Sequence, residues 1–193
     1  AFTMSVKQKI ALGSIASVLS VIATLHPGEL QTSERGLKHI AQWEQYATRT
    51  YLDSIGVPTI GLGATRWLDG KPPKPGQTAD KFQAASLYVR DITVAEDCVR
   101  GRMQGNSMPQ SVFDASVSLV HNTGCAGATY NRKTKNKTNI RLQAEAGNWA
   151  QVCYRMGDFI YAGGKVSNGL KNRRAGDQAL CIEDLSNVSL SRY

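Results

Sequence analysis

At 193 residues, 41% hydrophobic and 20% charged, the chain is long enough for one domain with a real core and too short for two full ones. Lysine and arginine outnumber aspartate and glutamate 23 to 15, a formal charge of +8, which favours an anionic partner such as nucleic acid, a phospholipid surface or an acidic cell-wall polymer. No zinc-finger spacing, no basic region leading into heptads and no aromatic RNA-binding signature accompanies that charge, so the expectation is no nucleic-acid partner.

Ala1 to Thr3 precede Met4, which reads as the natural initiator with a short remnant before it. After Lys7 and Lys9 comes an uncharged run, Ile10 to Leu25, closed by His26-Pro27-Gly28-Glu29. As a helix its sixteen residues span about 24 Å, short of a hydrocarbon core of about 30 Å. Half of them are small or weakly polar, so such a helix inserts weakly. Gly13, Ser17, Ser20 and Thr24 form a small polar stripe, with Leu12, Ile15, Leu19 and Ile22 on the opposite apolar face. The segment therefore reads as a weak membrane anchor, as a cleaved signal with a site at Val21-Ile22-Ala23, or as a permanent span or ordinary packed helix.

Thr32 or Ser33 can cap the next helix, with Leu37, Ile40 and Ala41 on its apolar face. Glu44 follows Ile40 by four residues and Ala41 by three, so it is expected to continue the buried side. A carboxyl there stays protonated or finds a cation, the condition a general acid needs. Tyr51 to Leu62 alternates around Ser54-Ile55-Gly56 and predicts a hairpin with Asp53 at its wet turn; Trp67 to Gly70 adds a third short strand. The loop Lys71 to Gly76 (KPPKPG) ends local structure. A long helix then starts at Thr78 or Asp80, packed through Phe82, Ala85, Val89 and Ile92, and runs to about Arg102. Further helices are expected over Ser111–Asn122, Asn139–Gly147, Trp149–Met156 and Asn172–Leu185. The fold class is α+β: a small sheet-bearing lobe and a larger helical lobe joined by the long helix.

Glu44, Asp53 and Thr59 stand close together in the stretch IAQWEQYATRTYLDSIGVPTIGLG, Ile40 to Gly63. Two carboxylates on opposite sides of a sugar can protonate a glycosidic oxygen and manage water, and a hydroxyl can hold that water. The four cysteines, Cys98, Cys125, Cys153 and Cys181, have no metal-ligand spacing. Their even number suggests two disulfides out of three connectivities. His26, His39 and His121 are too scattered to argue for a metal, and no cofactor is expected.

These pieces resemble the phage-type lysozymes, the glycoside hydrolase family 24 endolysins. The resemblance rests on the Glu44, Asp53, Thr59 spacing with TIGLG at 59–63, on SLVHNTG at 118–124, and on YAGGK at 161–165 followed by GLKNRR at 169–174. It implies a lysozyme-like fold and cleavage of the β-1,4 bond between N-acetylmuramic acid and N-acetylglucosamine in peptidoglycan. Glu44 is then the acid; Asp53 stabilises the oxocarbenium-like centre and, with Thr59, orients water. A carboxyl gap of about 6.5–9.5 Å would give inversion and about 5–5.5 Å a covalent route through Asp53. Thr65, His121 and Asn122 are implied substrate contacts. Arg173, or else Arg174, is implied to support Glu44, although adjacent arginines on a helix usually face solvent. The pairings implied are Cys153 with Cys181 and Cys98 with Cys125. The sequence departs from the pattern at Gln45, often glycine, and at Ala64, commonly histidine.

The N-terminal segment is further similar to signal-anchor-release endolysins, in which a weak anchor tethers an inactive enzyme until the membrane is depolarised. That implies residues 1–29 as the anchor, Ile10 to Leu25 its membrane-borne part, and 30–193 as the catalytic domain. It further implies a monomer held at the host inner membrane and then free in the periplasm. No cysteine lies in the anchor, so activation by thiol exchange from that segment is not expected. The competing expectations are a lytic transglycosylase, and a non-catalytic cell-wall-binding or membrane-perturbing protein of the same fold.

Overall fold

The computed structural model describes residues 6–186, with side-chain surroundings from Ile15 onward; Ala1 to Met4, the Leu12 side chain and the surroundings of Gly13 lie outside the described part. Two compact units emerge, one comprising residues 1–31 and 37–93, the other 32–36 and 94–193.

The first unit contains α1 (Val6–Leu25), most of α2 (Glu34–Ala41), the hairpin β1 (Tyr46–Leu52) and β2 (Pro58–Leu62), and the first half of α3 (Lys81–Arg102). Helix α1 packs against β1. Its buried line is Val18, Val21 and Ile22, with Ile15 and Leu19 only half-buried, so the apolar stripe is rotated slightly from the expected one. Among the described residues no helix is long and apolar enough to cross a membrane.

Leu37, Ile40 and Ala41 of α2 are buried as expected, and Tyr88 of α3 donates to the Leu37 carbonyl at 2.9 Å. The β1–β2 register shifts between Ala47 and Tyr51. That irregularity turns Thr48 and Thr50 to a third segment: Ala79 N–H donates to Thr48 O at 2.8 Å and Thr50 N–H to Gln77 O at 2.9 Å. Trp67 to Gly70 forms no strand. Trp67 and Gly70 close a turn instead, and Arg90 of α3 holds it by donating to the carbonyls of Trp67 (2.8 Å) and Arg66 (2.9 Å). Helix α3 begins with reciprocal bonds, Gln83 N–H to Asp80 Oδ1 at 2.8 Å and Asp80 N–H to Gln83 Oε1 at 3.0 Å. Ala85, Val89 and Ile92 are buried, but Phe82 is half exposed beneath the Lys81 ammonium, because it precedes the first packed turn.

The second unit is built around α4 (Gln110–Thr123), buried continuously from Ser111 to Val120. Around it stand α5 (Cys125–Thr129), α6 (Asn139–Glu145), α7 (Trp149–Arg155) and α8 (Asn168–Cys181), with short hairpins β3 (Tyr130–Asn131)–β4 (Asn136–Lys137) and β5 (Tyr161–Ala162)–β6 (Lys165–Val166). Helix α8 starts four residues before the expected Asn172, because the Ser167 hydroxyl accepts the Leu170 N–H and caps it. Disulfides join Cys98 to Cys125 and Cys153 to Cys181, the pairing the resemblance implied. Ser33 caps α2, its hydroxyl accepting Gly36 N–H at 3.1 Å. Asp114 in turn accepts from Ser33, while Glu96 Oε1 accepts both N–H (2.6 Å) and hydroxyl (2.7 Å) of Thr32.

Candidate active site

Helix α2 ends at Ala41, three residues before Glu44. The chain then tightens: Trp43 N–H bonds to Ile40 O at 3.2 Å and Glu44 N–H to Ala41 O at 3.1 Å. Glu44 is therefore a half-buried residue of the turn leading into β1, not a continuation of the helix's buried face. Its carboxylate lies over Gly63, where a Cβ would meet Glu44 Oε2 at 2.8 Å. Gly63 also has φ +78, a left-handed conformation that disfavours a side chain. The last glycine of TIGLG thus makes room for the first carboxylate.

Asp53 occupies the hairpin turn, half-buried. Its Oδ1 accepts the N–H groups of Ile55 (2.9 Å) and Val57 (2.8 Å), and its backbone closes the loop through Val57 O and Gly56 N–H. The backbone holds one carboxylate oxygen in place and leaves Oδ2 for other work. Thr59, 3% exposed, donates its hydroxyl to Val57 O at 3.0 Å, so the oxygen's lone pairs remain to accept from a water.

Tyr51 was not singled out by the sequence. It pairs with Thr59 across the hairpin, two residues before Asp53. Burial and then the negative charges of Glu44 and Asp53 push its phenol above the ordinary tyrosine range. The signal available was proximity in the chain, since Tyr51 lies near the end of β1, two residues before Asp53 in the turn that follows.

Thr65 is exposed in the bend after β2. Ala64, 1% exposed, packs with Ile60, Ala79 and Leu87 under Trp67, so this departure from the family pattern has become part of an apolar cluster. In the second unit, His121 is half-buried and Asn122 exposed on the last turn of α4. Arg173 and Arg174 are both buried rather than solvated. Arg174 Nη2 pairs with Asp177 Oδ2 at 2.9 Å, while Ser118 donates to Asp177 Oδ1 at 2.6 Å. Burial lowers the Arg174 pKa, and Asp177 opposes that shift.

Comparison with known proteins gives concordant matches. The family described as phage lysozyme matches residues 41–177. A SAR-endolysin of Haemophilus phage HP1 is 36% identical over 156 residues, 79% of this chain and 81% of that protein. A SAR-endolysin of Escherichia phage P1 is 30% identical over 181 residues, covering 92% and 94%. The crystal structure of the active form of the P1 phage endolysin Lyz is similar with a TM-score of 0.81 at 27% identity, covering 91% of this chain and 97% of that one.

Proposed function

The chain belongs to the phage lysozyme family, and from that premise we propose that Glu44, Asp53 and Thr59 form the hydrolytic centre of a lysozyme-like α+β enzyme. The protein is a peptidoglycan-hydrolysing endolysin, a glycoside hydrolase. Glu44 protonates the oxygen leaving N-acetylmuramic acid as the glycosidic bond breaks. Asp53, anchored through Oδ1, turns Oδ2 to the positive charge developing at the sugar's anomeric carbon. Thr59 holds the water that adds there, and the proton that water gives up passes to the Asp53 carboxylate. The observation that carries this reading is geometric: the Glu44 carboxylate lies over Gly63 at the end of β2, Asp53 is fixed at the hairpin turn by two main-chain N–H groups, and Thr59 stands on β2 between them in the chain. Thr65, exposed in the bend after β2 of the same unit, contacts the glycan.

The test is digestion of purified peptidoglycan with mass analysis of the fragments. Reducing N-acetylmuramic ends are expected; anhydro ends would mean a lytic transglycosylase, and no fragments would mean a non-catalytic cell-wall protein.

Residues 1–29 act as a signal anchor, tethering residues 30–193 as an inactive monomer at the host inner membrane until release into the periplasm. The weakly apolar run Ile10 to Leu25 and the two SAR-endolysin relatives support this. So does the packing of α1, through Val18, Val21 and Ile22, in the first unit, which gives a released helix somewhere to bury those side chains. Fractionating expressing cells before and after an uncoupler tests it: the protein should leave the membrane fraction, and one that never does contradicts release.

A further inference from the structure

In the second unit a cavity of about 1230 Å³ is walled by the β3–β4 and β5–β6 hairpins and the ends of α6 and α7. Between Gly127 and Val166 the chain carries seven lysines and arginines against two carboxylates, a net +5 out of the whole chain's +8. Glu145, one of the two, is engaged by Lys137 at 2.7 Å and Arg141 at 2.9 Å. Asp158, the other, stands 3.8 Å from Arg155. Arg132 and Lys133 are exposed on the cavity wall, and among the described residues no carboxylate is paired with either.

Aromatic rings share the cavity wall with these cations. Tyr130 and Tyr161 line the cavity while 41% and 62% exposed, and Phe159 lies half-buried beside them. Rings left this open contribute little to a core; their apolar faces suit the C–H faces of sugars, and their hydroxyls can stay wet. Ring faces and cations on one wall fit a chain of sugars bearing acidic groups, and a concave wall suits a strand better than a flat bilayer. None of the candidate catalytic side chains lines the cavity.

We propose that this cavity is a second peptidoglycan-binding site that grips a strand other than the one being cut, with sugar rings on Tyr130 and Tyr161 and the strand's carboxylates against Arg132 and Lys133. The identity of the polymer rests on the hydrolase reading; the acidic-glycan chemistry does not. Holding a neighbouring strand keeps the enzyme on an insoluble polymer between cuts, raising the effective concentration of the next bond.

The experiment is co-sedimentation of the inactive Glu44→Gln chain with intact sacculi, alone and with Arg132→Gln, Lys133→Gln and Tyr161→Ala added. The added substitutions should weaken sedimentation at least ~10-fold, more so at low salt. Tyr161→Ala alone, a change to an exposed ring, should act in the same direction. In the active chain the same three changes should slow digestion of sacculi while leaving cleavage of a short soluble glycan oligomer unchanged. Unaltered sedimentation overturns the proposal, as does an equal loss on the soluble oligomer. Retained sacculus binding with lost binding to phosphatidylglycerol vesicles would assign the cavity to a lipid surface instead. An active chain that cuts neither substrate would defeat the hydrolase reading, while sedimentation would still report on the cavity.

Discussion

The two units hold their charged groups in opposite ways. In the first, Glu44 and Asp53 are half-buried in turns and positioned by main-chain geometry: a tight turn after α2, two N–H donors on Asp53, and a glycine cleared beneath Glu44. In the second, Arg174 and Asp177 are shut away from water inside a helical bundle closed by both disulfides. Charges meant to exchange protons must keep contact with water, whereas charges that only hold a fold can be sealed in. Substitutions should therefore separate activity from stability according to the unit they strike.

The largest stability effect is expected inside the second unit. Asp177→Asn leaves Arg174, 1% exposed, without its counter-charge, and should cost about 3–5 kcal/mol in chemical denaturation. A loss below about 1 kcal/mol would mean the pair is not sealed. Next, replacing Cys153 and Cys181 by serine opens a link spanning 28 positions and should cost about 3–4 kcal/mol. The same denaturation curves read this, and activity of the folded fraction should persist. Gly63→Ala strikes the first unit: its methyl meets Glu44 Oε2 at φ +78, so kcat should fall by ~10–100-fold, about 1–3 kcal/mol. Steady-state rates checked against melting temperature would expose a purely structural effect.

The smallest effect concerns Tyr51. Its folded phenol has a raised pKa, so folding favours the protonated form; that contribution is present below the unfolded value of 10.0 and is lost as pH rises through the folded one. Ultraviolet titration in a Tyr46→Phe background, needed because burial and Asp80 raise Tyr46 as well, should show a late ionisation that Glu44→Gln and Asp53→Asn each bring down. If neither substitution moves it, the two carboxylates do not share the phenol.

Much of this difference was readable from the chain, for identifiable reasons. Asp53 at a turn follows from Ser54-Ile55-Gly56, and the start of α3 from Asp80 and Gln83, because side chains that bond their own backbone leave local signatures. Periodicity of three and four residues predicts Glu44 on the buried face of the helix, because that spacing runs on through the tight turn after Ala41. The burial of Arg173 and Arg174 follows the α8 stripe that continues to Asp177, Leu180 and Cys181, but charge alone suggested solvent. Which elements meet is a tertiary fact: the turn at Trp67 depends on Arg90, twenty-three residues away. Tyr51 escaped notice because its importance comes from two carboxylates and not from its own spacing.

The central claim is that chemistry resides in the first unit at Glu44. It is tested most directly by the rate at which the Glu44→Gln chain releases reducing N-acetylmuramic ends from purified peptidoglycan, with melting temperature measured on the same sample. A fall of about 10²–10⁴-fold with melting unchanged is predicted for a lost general acid. Retention of more than about a tenth of the wild-type rate would contradict it.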